Sequence, residues 1–242
     1  MLISLSKKFI FLSNPKCASS TIRVLLEKYA QITNLSLINN AEDKDNKEYL
    51  NKHRVNLLHL TAHELKASFE NLNSLHIWDD VYKFSTIRNP FHRVVSWYFF
   101  IEPDKNFRSI IDEGMDQYDQ DSKFHHHFNE FLDHFANEGN AEKLPPNYEA
   151  QFTNWETGED LLDDIFKLEE IDTDFPEKLK EHTDIARPSP LPNIMPDFRR
   201  PTRSKHIKFK GNPYDLFNDN SQKIVEEIYS TDLEKFNYQF GQ

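Results

Sequence analysis

The sequence predicts an α/β fold of three layers, with helices on both faces of a central, mostly parallel sheet. Two stretches carry this prediction, because each has the pattern of a buried strand, a turn containing Asn-Pro and an amphipathic helix. The first runs from Phe9 to Tyr29 and the second from Val81 to Phe99. Strands that alternate with helices are typical of parallel sheets, in which ligands bind beyond the carboxyl ends of the strands.

The first stretch begins with the short apolar run Phe9 to Leu12, which Asn14-Pro15 ends. Small and hydroxylated residues follow, and then apolar residues recur at helical spacing: Ile22, Val24, Leu25, Leu26 and Tyr29. The turn offers a lysine, hydroxyl groups and the amides of a helix N-terminus, which suit an anion with several oxygen atoms. It differs from the nucleotide-binding P-loop, since it has no glycine and its lysine comes first. A strand–helix corner whose serines only cap the helix stays an alternative.

The second stretch predicts a strand from Val81 to Ile87, which Asn89-Pro90 ends. The helix that follows has an apolar face made of Val94, Val95, Tyr98 and Phe99. Arg88 comes at the carboxyl end of the strand, and Ser96 lies two helical turns further on. The planar guanidinium of arginine makes paired hydrogen bonds with phosphate. Two such segments, each with a cation at the end of its strand, therefore predict one ligand with two anionic ends.

These two segments resemble motifs of the sulfotransferases that use 3′-phosphoadenosine 5′-phosphosulfate (PAPS). The motif residues are Pro15-Lys16-Cys17-Ala18-Ser19-Ser20-Thr21, Arg88-Asn89-Pro90 and Ser96-Trp97-Tyr98. The resemblance is closest to the carbohydrate sulfotransferases, a group that includes heparan sulfate 2-O-sulfotransferase and soluble bacterial relatives. It continues through His59 to Leu65, Tyr148 to Gln151 and Tyr229 to Tyr238. The chain departs from it at Cys17, where relatives often carry threonine or glycine.

The resemblance implies a P-loop-like fold, a single domain over residues 1–242 and a role for each motif. The 5′-phosphosulfate would lie against the first loop, and the 3′-phosphate against Arg88 and Ser96. Lys16 would also neutralise the charge that builds on the departing nucleotide. The residues expected to hold the 5′-phosphosulfate are Lys16, Cys17, Ala18, Ser19, Ser20 and Thr21.

In such enzymes a histidine or glutamate of the next motif takes the proton from the acceptor hydroxyl. His59 is the first candidate for this general base and His63 the second, because the pKa of histidine lies near the working pH. The resemblance thus implies PAPS as co-substrate, no metal, and a hydroxylated acceptor that we expect to be a saccharide. Gln151, Asn154 and Trp155 also resemble a stretch that lines the acceptor cleft of relatives.

Two other functions stay open at this point. A P-loop-type kinase of small molecules would need ATP and magnesium for turnover, although the loop lacks the glycines and the Lys-Ser/Thr ending of that motif. A module that binds PAP or carbohydrate without catalysis would keep the anion contacts and lack a working base.

Composition limits which binding partners and which cell compartment are expected. A net charge of −11 and a pI near 5.5 argue against nucleic acid as a general partner. The single cysteine, Cys17, excludes an internal disulfide, and we expect it to be a small buried residue. No apolar run has the length of a membrane span, and no signal peptide is recognisable. The expected location is the cytoplasm, or the Golgi lumen if the chain is trimmed from a eukaryotic protein. No oligomeric state is predicted.

Other segments give simpler predictions. The polar residues 34–52 indicate a loop, and Val55 to Leu60 indicates a strand. Thr61 caps a helix that starts at Ala62, with Glu64 completing a capping box. The spacing of Phe128, Phe131, Leu132 and Phe135 predicts a helix with one apolar face.

The histidines 125–127 invite a metal interpretation, but adjacent residues do not share a helix face. Further on, Ile165 to Leu168 predicts a strand, and a short helix around Phe175 follows it. Residues 187–210 are basic, which suits either contact with phosphate or an acidic acceptor, or an ordinary solvated loop. A final helix is predicted from Pro213 to Tyr229.

Overall fold

The structure is a computed structural model that describes residues 1–33, 60–101, 117–137, 144–183, 185 and 211–242 of the chain. The chain divides into two compact units, each with its own hydrophobic core. The first comprises Met1–Ile87 and Tyr148–Ile194, and the second comprises Arg88–Asn147 and Met195–Gln242. Three predictions concern residues outside this described set. They are the loop 34–52, the strand 55–60 except for Leu60, and the basic stretch 187–210.

The first unit contains a five-stranded sheet with the strand order β3-β1-β2-β4-β5. Its strands are β1 (Leu2–Ser4), β2 (Phe9–Phe11), β3 (Ile32–Thr33), β4 (Tyr82–Ile87) and β5 (Asp164–Lys167). β1 pairs antiparallel with β2 and β3, whereas β2, β4 and β5 pair in parallel. Four of the five described strands therefore run in one direction, which confirms the mostly parallel sheet.

Helices cover both faces of this sheet, as the three-layer prediction requires. They are α1 (Ser19–Leu26), α2 (Ala62–Asn71), α3 (Leu75–Asp80), α6 (Tyr148–Phe152) and α7 (Ile171–Thr183). Because side chains alternate along a strand, β2 sends Phe9 and Phe11 into a cluster with residues of α1 and α7. It sends Ile10 into a second cluster with residues of α2 and α3.

The start of α2 follows the predicted capping box. The Thr61 hydroxyl accepts a hydrogen bond from the Glu64 amide at 3.2 Å, and the Glu64 carboxylate accepts one from the Thr61 amide at 2.8 Å. These bonds satisfy amides that a helix terminus leaves without an acceptor. The boundary of α2 is therefore fixed directly after the segment that carries His59.

The second unit is helical where it is described. It contains α4 (Pro90–Ile101), α5 (Gln117–Asn137), α8 (Asp219–Ile228) and α9 (Ser230–Phe236). The apolar face predicted for α5 is confirmed, because its four residues are buried in the core of this unit: Phe128, Phe131, Leu132 and Phe135.

The single helix predicted from Pro213 to Tyr229 is wrong in its extent. A 3₁₀ helix over Pro213–Leu216 comes first, and α8 begins only at Asp219. Asn218 separates them, since its side-chain oxygen accepts a hydrogen bond from the Ser221 amide at 2.8 Å. An asparagine with extended backbone is a favourable N-cap, so it starts a new helix rather than continuing the old one.

Candidate anion-binding site

The loop after β2 is fastened to the carboxyl end of β4 through Asn14. The buried Asn14 side chain donates to the Thr86 carbonyl at 3.0 Å, and the Thr86 hydroxyl donates to the Cys17 carbonyl at 2.6 Å. The Asn14 carbonyl in turn accepts from the Ser19 hydroxyl at 2.7 Å and from the Cys17 amide at 3.3 Å. The loop between β2 and α1 is therefore held at both of its ends.

This loop uses backbone conformations that glycine usually provides. Lys16 and Ala18 have φ values of 63° and 57°, in the left-handed region, and Cys17 between them has a negative φ. Such alternation of sign turns successive amides toward one point, which forms an anion-binding concavity. The amides of Ala18, Ser19 and Ser20 donate to no acceptor within the described part of the chain. They lie at the N-terminus of α1, where the helix dipole also favours negative charge.

The side chains of the loop divide into two groups. Cys17 is fully buried, which confirms its prediction as a small packing residue. The Ser19 hydroxyl donates its hydrogen to Asn14, so Ser19 offers a ligand mainly its amide. Ser20 is exposed and Thr21 is half-buried, as is Lys16. The loop thus combines main-chain donors, hydroxyls and one ammonium group.

In the second unit, Arg88 and Asn89 precede α4 and are both buried. The Asn89 side-chain oxygen accepts from the Phe91 amide at 3.1 Å, and its carbonyl accepts from the Arg93 amide at 2.9 Å. The amide group of Asn89 donates to the Gln239 carbonyl at 3.3 Å. Arg88 is only 5% exposed, and a buried guanidinium is a strong and well-oriented donor for a phosphate group.

Ser96 is half-buried on α4. A buried ion pair holds this helix within its unit. Arg93 and Asp232 are fully buried, with their nearest charged atoms 3.8 Å apart. The Arg93 guanidinium also lies 6.0 Å from the ring centre of Tyr229, whose hydroxyl donates to the Pro145 carbonyl. Removing one partner of a buried ion pair leaves an uncompensated charge, so this contact specifies how α4 packs against α9.

His92, which follows Asn89 in the first turn of α4, is held neutral by its surroundings. Burial and, to a smaller extent, the positive charge of Arg88 lower the pKa of His92 to about 4. Its ring centre lies 4.9 Å from that of Tyr214. The positive charge next to this helix N-terminus is therefore that of Arg88 and not of the histidine.

The two candidate bases differ in what the structure describes. His59 lies outside the described residues. The carbonyl of the next residue, Leu60, accepts a hydrogen bond from the buried Gln151 side chain at 3.1 Å. His63 is half-buried in the first turn of α2, and its Nδ1 accepts from the Trp155 amide at 3.4 Å. In a neutral ring whose Nδ1 is an acceptor, Nε2 carries the hydrogen.

Two of the three consecutive histidines of α5 contact different partners. His127 Nδ1 lies 2.9 Å from the Tyr98 hydroxyl, whereas His126 Nε2 lies 3.3 Å from a Glu130 carboxylate oxygen. Among the residues whose positions are described, no three His, Cys, Asp or Glu side chains are grouped as metal ligands. The described part of the chain also has no helix that is long and apolar enough to cross a membrane.

Sequence reasoning missed the two residues that shape the loop. The sequence pattern indicates Asn14 only as a strand breaker and Thr86 only as one residue of a strand. Their contacts join positions 72 and 69 residues apart, which no local pattern signals. The sequence gives one local indication of a loop held by side-chain hydrogen bonds. It is the asparagine before proline, followed by small residues.

Comparison with known proteins agrees with this geometry. The family model described as "Sulfotransferase family" matches residues 1–239, and so spans both units. No curated protein and no solved structure matches the chain. Because the family model covers nearly the whole sequence, the chain belongs to the sulfotransferase family, whose members are enzymes that use PAPS.

Proposed function

We propose that this enzyme transfers the sulfuryl group of PAPS to a hydroxyl of a saccharide by in-line displacement, with His59 as general base. The main support is the loop after β2, where three adjacent amides without described acceptors meet Lys16 at the start of a helix. This donor set fits a phosphosulfate, which presents several anionic oxygens to one concave surface. Residues 16–21 together form the binding loop for the 5′-phosphosulfate.

The reaction breaks the bond between sulfur and the oxygen that links it to the nucleotide phosphate, and it forms a bond between sulfur and the acceptor oxygen. His59 takes the proton of the acceptor hydroxyl. Lys16 neutralises the charge that develops on the linking oxygen, and this interaction is strongest in the transition state. Arg88 and Ser96 bind the 3′-phosphate. These residues contribute by positioning and electrostatics, as in phosphoryl transfer.

One observation favours His59 over His63 as the base. The Nδ1 atom of His63 already accepts the Trp155 amide, which leaves its Nε2 as a donor. A base needs an unprotonated atom within hydrogen-bond reach of the proton it removes.

The donor is tested by thermal denaturation with PAP and with ATP. A ligand that binds only the folded state raises the melting temperature, so PAP should stabilise the protein and ATP, which lacks a 3′-phosphate, much less. Equal stabilisation by the two nucleotides, or turnover that requires ATP and magnesium, would refute the proposal. Turnover itself is measured with labelled PAPS and a panel of saccharides and phenols, which tests the acceptor class.

The base is tested by comparing His59→Ala with His63→Ala. Loss of a general base lowers the rate roughly a hundred- to ten-thousandfold, so His59→Ala should lose turnover by this factor and still bind PAP. The acidic limb of kcat/KM should disappear in this variant. If His63→Ala has the large effect and His59→Ala changes turnover only a few-fold, the two roles are exchanged. If neither matters, Glu64 and the histidines 125–127 are the next candidates.

A further inference from the structure

We propose that Tyr214 is a positioning residue for the contact between Arg88 and the 3′-phosphate, and that it acts through the side chain of Asn89. The inference rests on the proposed function, because that function assigns the 3′-phosphate to Arg88. Tyr214 lies in the second unit together with Arg88 and Asn89, and it follows Asn89 by 125 residues. It belongs to none of the motifs on which the sequence resemblance depends.

Asn89 is held through each polar atom of its side chain. Its Oδ1 atom accepts a hydrogen bond from the Phe91 amide at 3.1 Å. Its Nδ2 atom donates one to the Tyr214 hydroxyl at 3.4 Å and one to the Gln239 carbonyl at 3.3 Å. Asn89 is only 1% exposed, and a buried amide with all of its partners present has one preferred orientation. This orientation also determines how the chain runs from Asn89 back to Arg88.

The Tyr214 hydroxyl connects this side chain to the segment 239–242. It accepts from Asn89 and donates to the Gln242 carbonyl. The second acceptor of Asn89, the Gln239 carbonyl, lies in the same segment. Hydrogen bonds in series strengthen one another where water is excluded. The start of α4 is therefore tied to the segment 239–242 at two points, and one of them is the tyrosine hydroxyl.

Tyr214 is itself held in place by the turn that carries it. It is the second residue of the 3₁₀ helix Pro213–Leu216. The Tyr214 amide donates to the Asn212 side-chain oxygen at 3.2 Å, and the Tyr214 carbonyl accepts from the Phe217 amide at 3.2 Å. The position of the hydroxyl therefore follows from the folded turn and does not depend on a ligand.

Ring contacts hold Tyr214 independently of its hydroxyl. Its ring centre lies 4.9 Å from that of His92 and 4.9 Å from that of Phe240. Phe240 also packs against the buried Phe91 ring, with the centres 5.0 Å apart and the planes at 78°. Edge-to-face contacts of this kind add to the stabilisation that buried area provides. Tyr214→Phe keeps these contacts and removes only the hydrogen bonds of the hydroxyl.

The expected consequence is specific to nucleotides with a 3′-phosphate. The paired hydrogen bonds between a guanidinium and a phosphate depend on the direction of the guanidinium plane. Loss of the Tyr214 hydroxyl removes one acceptor of the buried Asn89 amide, so Asn89 gains freedom and the adjacent Arg88 is directed less well. The 5′ end of the nucleotide is bound by the loop after β2 in the proposed function, so its contacts should not change.

The inference is tested by calorimetric titration of PAP and AMP into the parent, Tyr214→Phe, Arg88→Ala and the double variant. In Tyr214→Phe the Kd for PAP should rise about three- to tenfold, the usual effect of one lost hydrogen bond, while the Kd for AMP stays within about twofold of the parent. In the Arg88→Ala background, Tyr214→Phe should have no further effect on PAP affinity, because residues that act through one contact are not additive.

Tyr82→Phe is the matched control. It removes a tyrosine hydroxyl that donates to the Asp164 carboxylate at 2.8 Å, at the amino end of β4 and so at the opposite end of that strand from Arg88. Both affinities should stay unchanged. Phe240→Ala is a second test, since the exposed Phe240 packs on Tyr214. It should loosen the segment 239–242 and weaken PAP binding more than AMP binding. The melting temperature without ligand reports whether each variant is folded.

Unchanged PAP affinity in Tyr214→Phe, an equal loss of affinity for PAP and AMP, or an undiminished effect in the Arg88→Ala background would overturn the inference. In turnover, Tyr214→Phe should raise the KM for PAPS by the same factor as the Kd for PAP and leave kcat within about twofold of the parent. If PAP does not bind the parent, the proposed function is refuted and this inference with it. If PAP binds the parent and Arg88→Ala weakens this binding while Tyr214→Phe does not, the inference alone is refuted.

Discussion

The loop after β2 and the start of α4 offer donors to anions in different ways. The loop relies on its main chain, because Lys16 and Ala18 adopt left-handed conformations and three amides at the start of α1 have no acceptor among the described residues. The start of α4 relies on a side chain, the buried guanidinium of Arg88, and Asn89 caps the helix beside it. The first segment therefore depends on backbone shape and the second on the identity of one residue.

The backbone shape of the loop has an energetic cost that its neighbours offset. A left-handed conformation costs a residue other than glycine about 1–2 kcal/mol, and the loop contains two. Asn14, Thr86 and Ser19 add four hydrogen bonds around it, each worth about 0.5–1.5 kcal/mol. Strain that surrounding contacts maintain is typical of binding and catalytic sites.

The largest effect is expected from Lys16→Ala, which removes the ammonium group and leaves the amides in place. Loss of one group that stabilises developing charge typically lowers kcat by about a hundred- to a thousandfold. PAP binding should weaken by a smaller factor, since the interaction strengthens as the nucleotide leaves. Steady-state kinetics and PAP titration measure the two quantities separately.

Lys66→Ala is the control for Lys16, because it removes a half-buried lysine that pairs with Glu70 on α2. It should leave both quantities unchanged. If Lys16→Ala instead raises the KM for PAPS and leaves kcat intact, the lysine acts only in ground-state binding. Lys16 and Arg88 would then both contribute to ground-state binding, and neither would act specifically on the transition state.

Arg88→Ala should have the next largest effect, on the nucleotide with a 3′-phosphate. Loss of a charge-assisted hydrogen bond costs about 1.5–3 kcal/mol, so the Kd for PAP should rise by roughly ten- to 150-fold. The Kd for AMP, which has no 3′-phosphate, should not change. Arg88→Lys should restore only part of the PAP affinity, since an ammonium group cannot make the paired contact of a guanidinium.

The comparison of PAP with AMP is the internal control for Arg88→Ala. An equal loss of affinity for PAP and AMP would mean that Arg88 supports the fold or the 5′ end rather than the 3′-phosphate. Thermal denaturation without ligand distinguishes these two explanations, because a folding defect lowers the melting temperature and a lost phosphate contact does not.

Ala18→Gly tests the role of the backbone and should have a smaller effect. Glycine adopts a positive φ without steric cost, whereas alanine does not. The variant should be more stable by about 0.5–1 kcal/mol and should bind PAP within about threefold of the parent, because the amide remains. Urea denaturation and PAP titration measure these effects.

Ala30→Gly is the matched control, since Ala30 has a φ of −87° and gains nothing from glycine. It should destabilise the protein by about 0.5–1 kcal/mol, the usual cost of the greater freedom of glycine in the unfolded chain. A loss of stability in Ala18→Gly as well would mean that the left-handed conformation of the loop carries no strain.

Much of the first unit follows from local sequence, and the exceptions have physical reasons. The strands β2 and β4, the breaks at Asn-Pro and the capping box at Thr61 all arise from short patterns, and each was predicted. β3, of two residues, is too short to carry a periodic signal, and β1, although as long as β2, is not followed by a helix pattern that would mark it. The left-handed Ala18 was not predictable, because alanine favours a negative φ and only the hydrogen bonds around Asn14 impose the other sign.

The candidate site shows the same division between local and distant contacts. Cys17 was expected to be buried, and it is. The contact between His63 and Trp155 joins residues 92 positions apart, so the sequence treated His63 as a possible base without any sign of its partner. The roles of Lys16, Arg88, Ser96 and His59 stay predictions, and the experiments above test all of them except that of Ser96.

A dependence of stability on pH is expected from His92, which follows Arg88 at the start of α4. Burial and then the charge of Arg88 lower the pKa of His92 from 6.5 to about 4. Between these values the unfolded chain binds more protons at this position than the folded one does, so the free energy of unfolding rises with pH in this window. The contribution of His92 is complete above pH 6.5 and is lost as the pH falls toward 4. His92→Gln should therefore reduce the loss of stability over this range, as measured by urea denaturation at several pH values.

The pH dependence of PAP affinity links this effect to the proposed phosphate contact. If Arg88 binds the 3′-phosphate, the negative charge of the ligand offsets the effect of the guanidinium on His92, and the pKa of His92 rises toward its ordinary value. As the pH falls, PAP affinity should then decrease less in the parent than in Arg88→Ala or in His92→Gln. His76→Gln, a change of an exposed histidine on α3, should behave like the parent. If the parent and Arg88→Ala give the same pH dependence of PAP affinity, Arg88 and the 3′-phosphate do not meet beside His92.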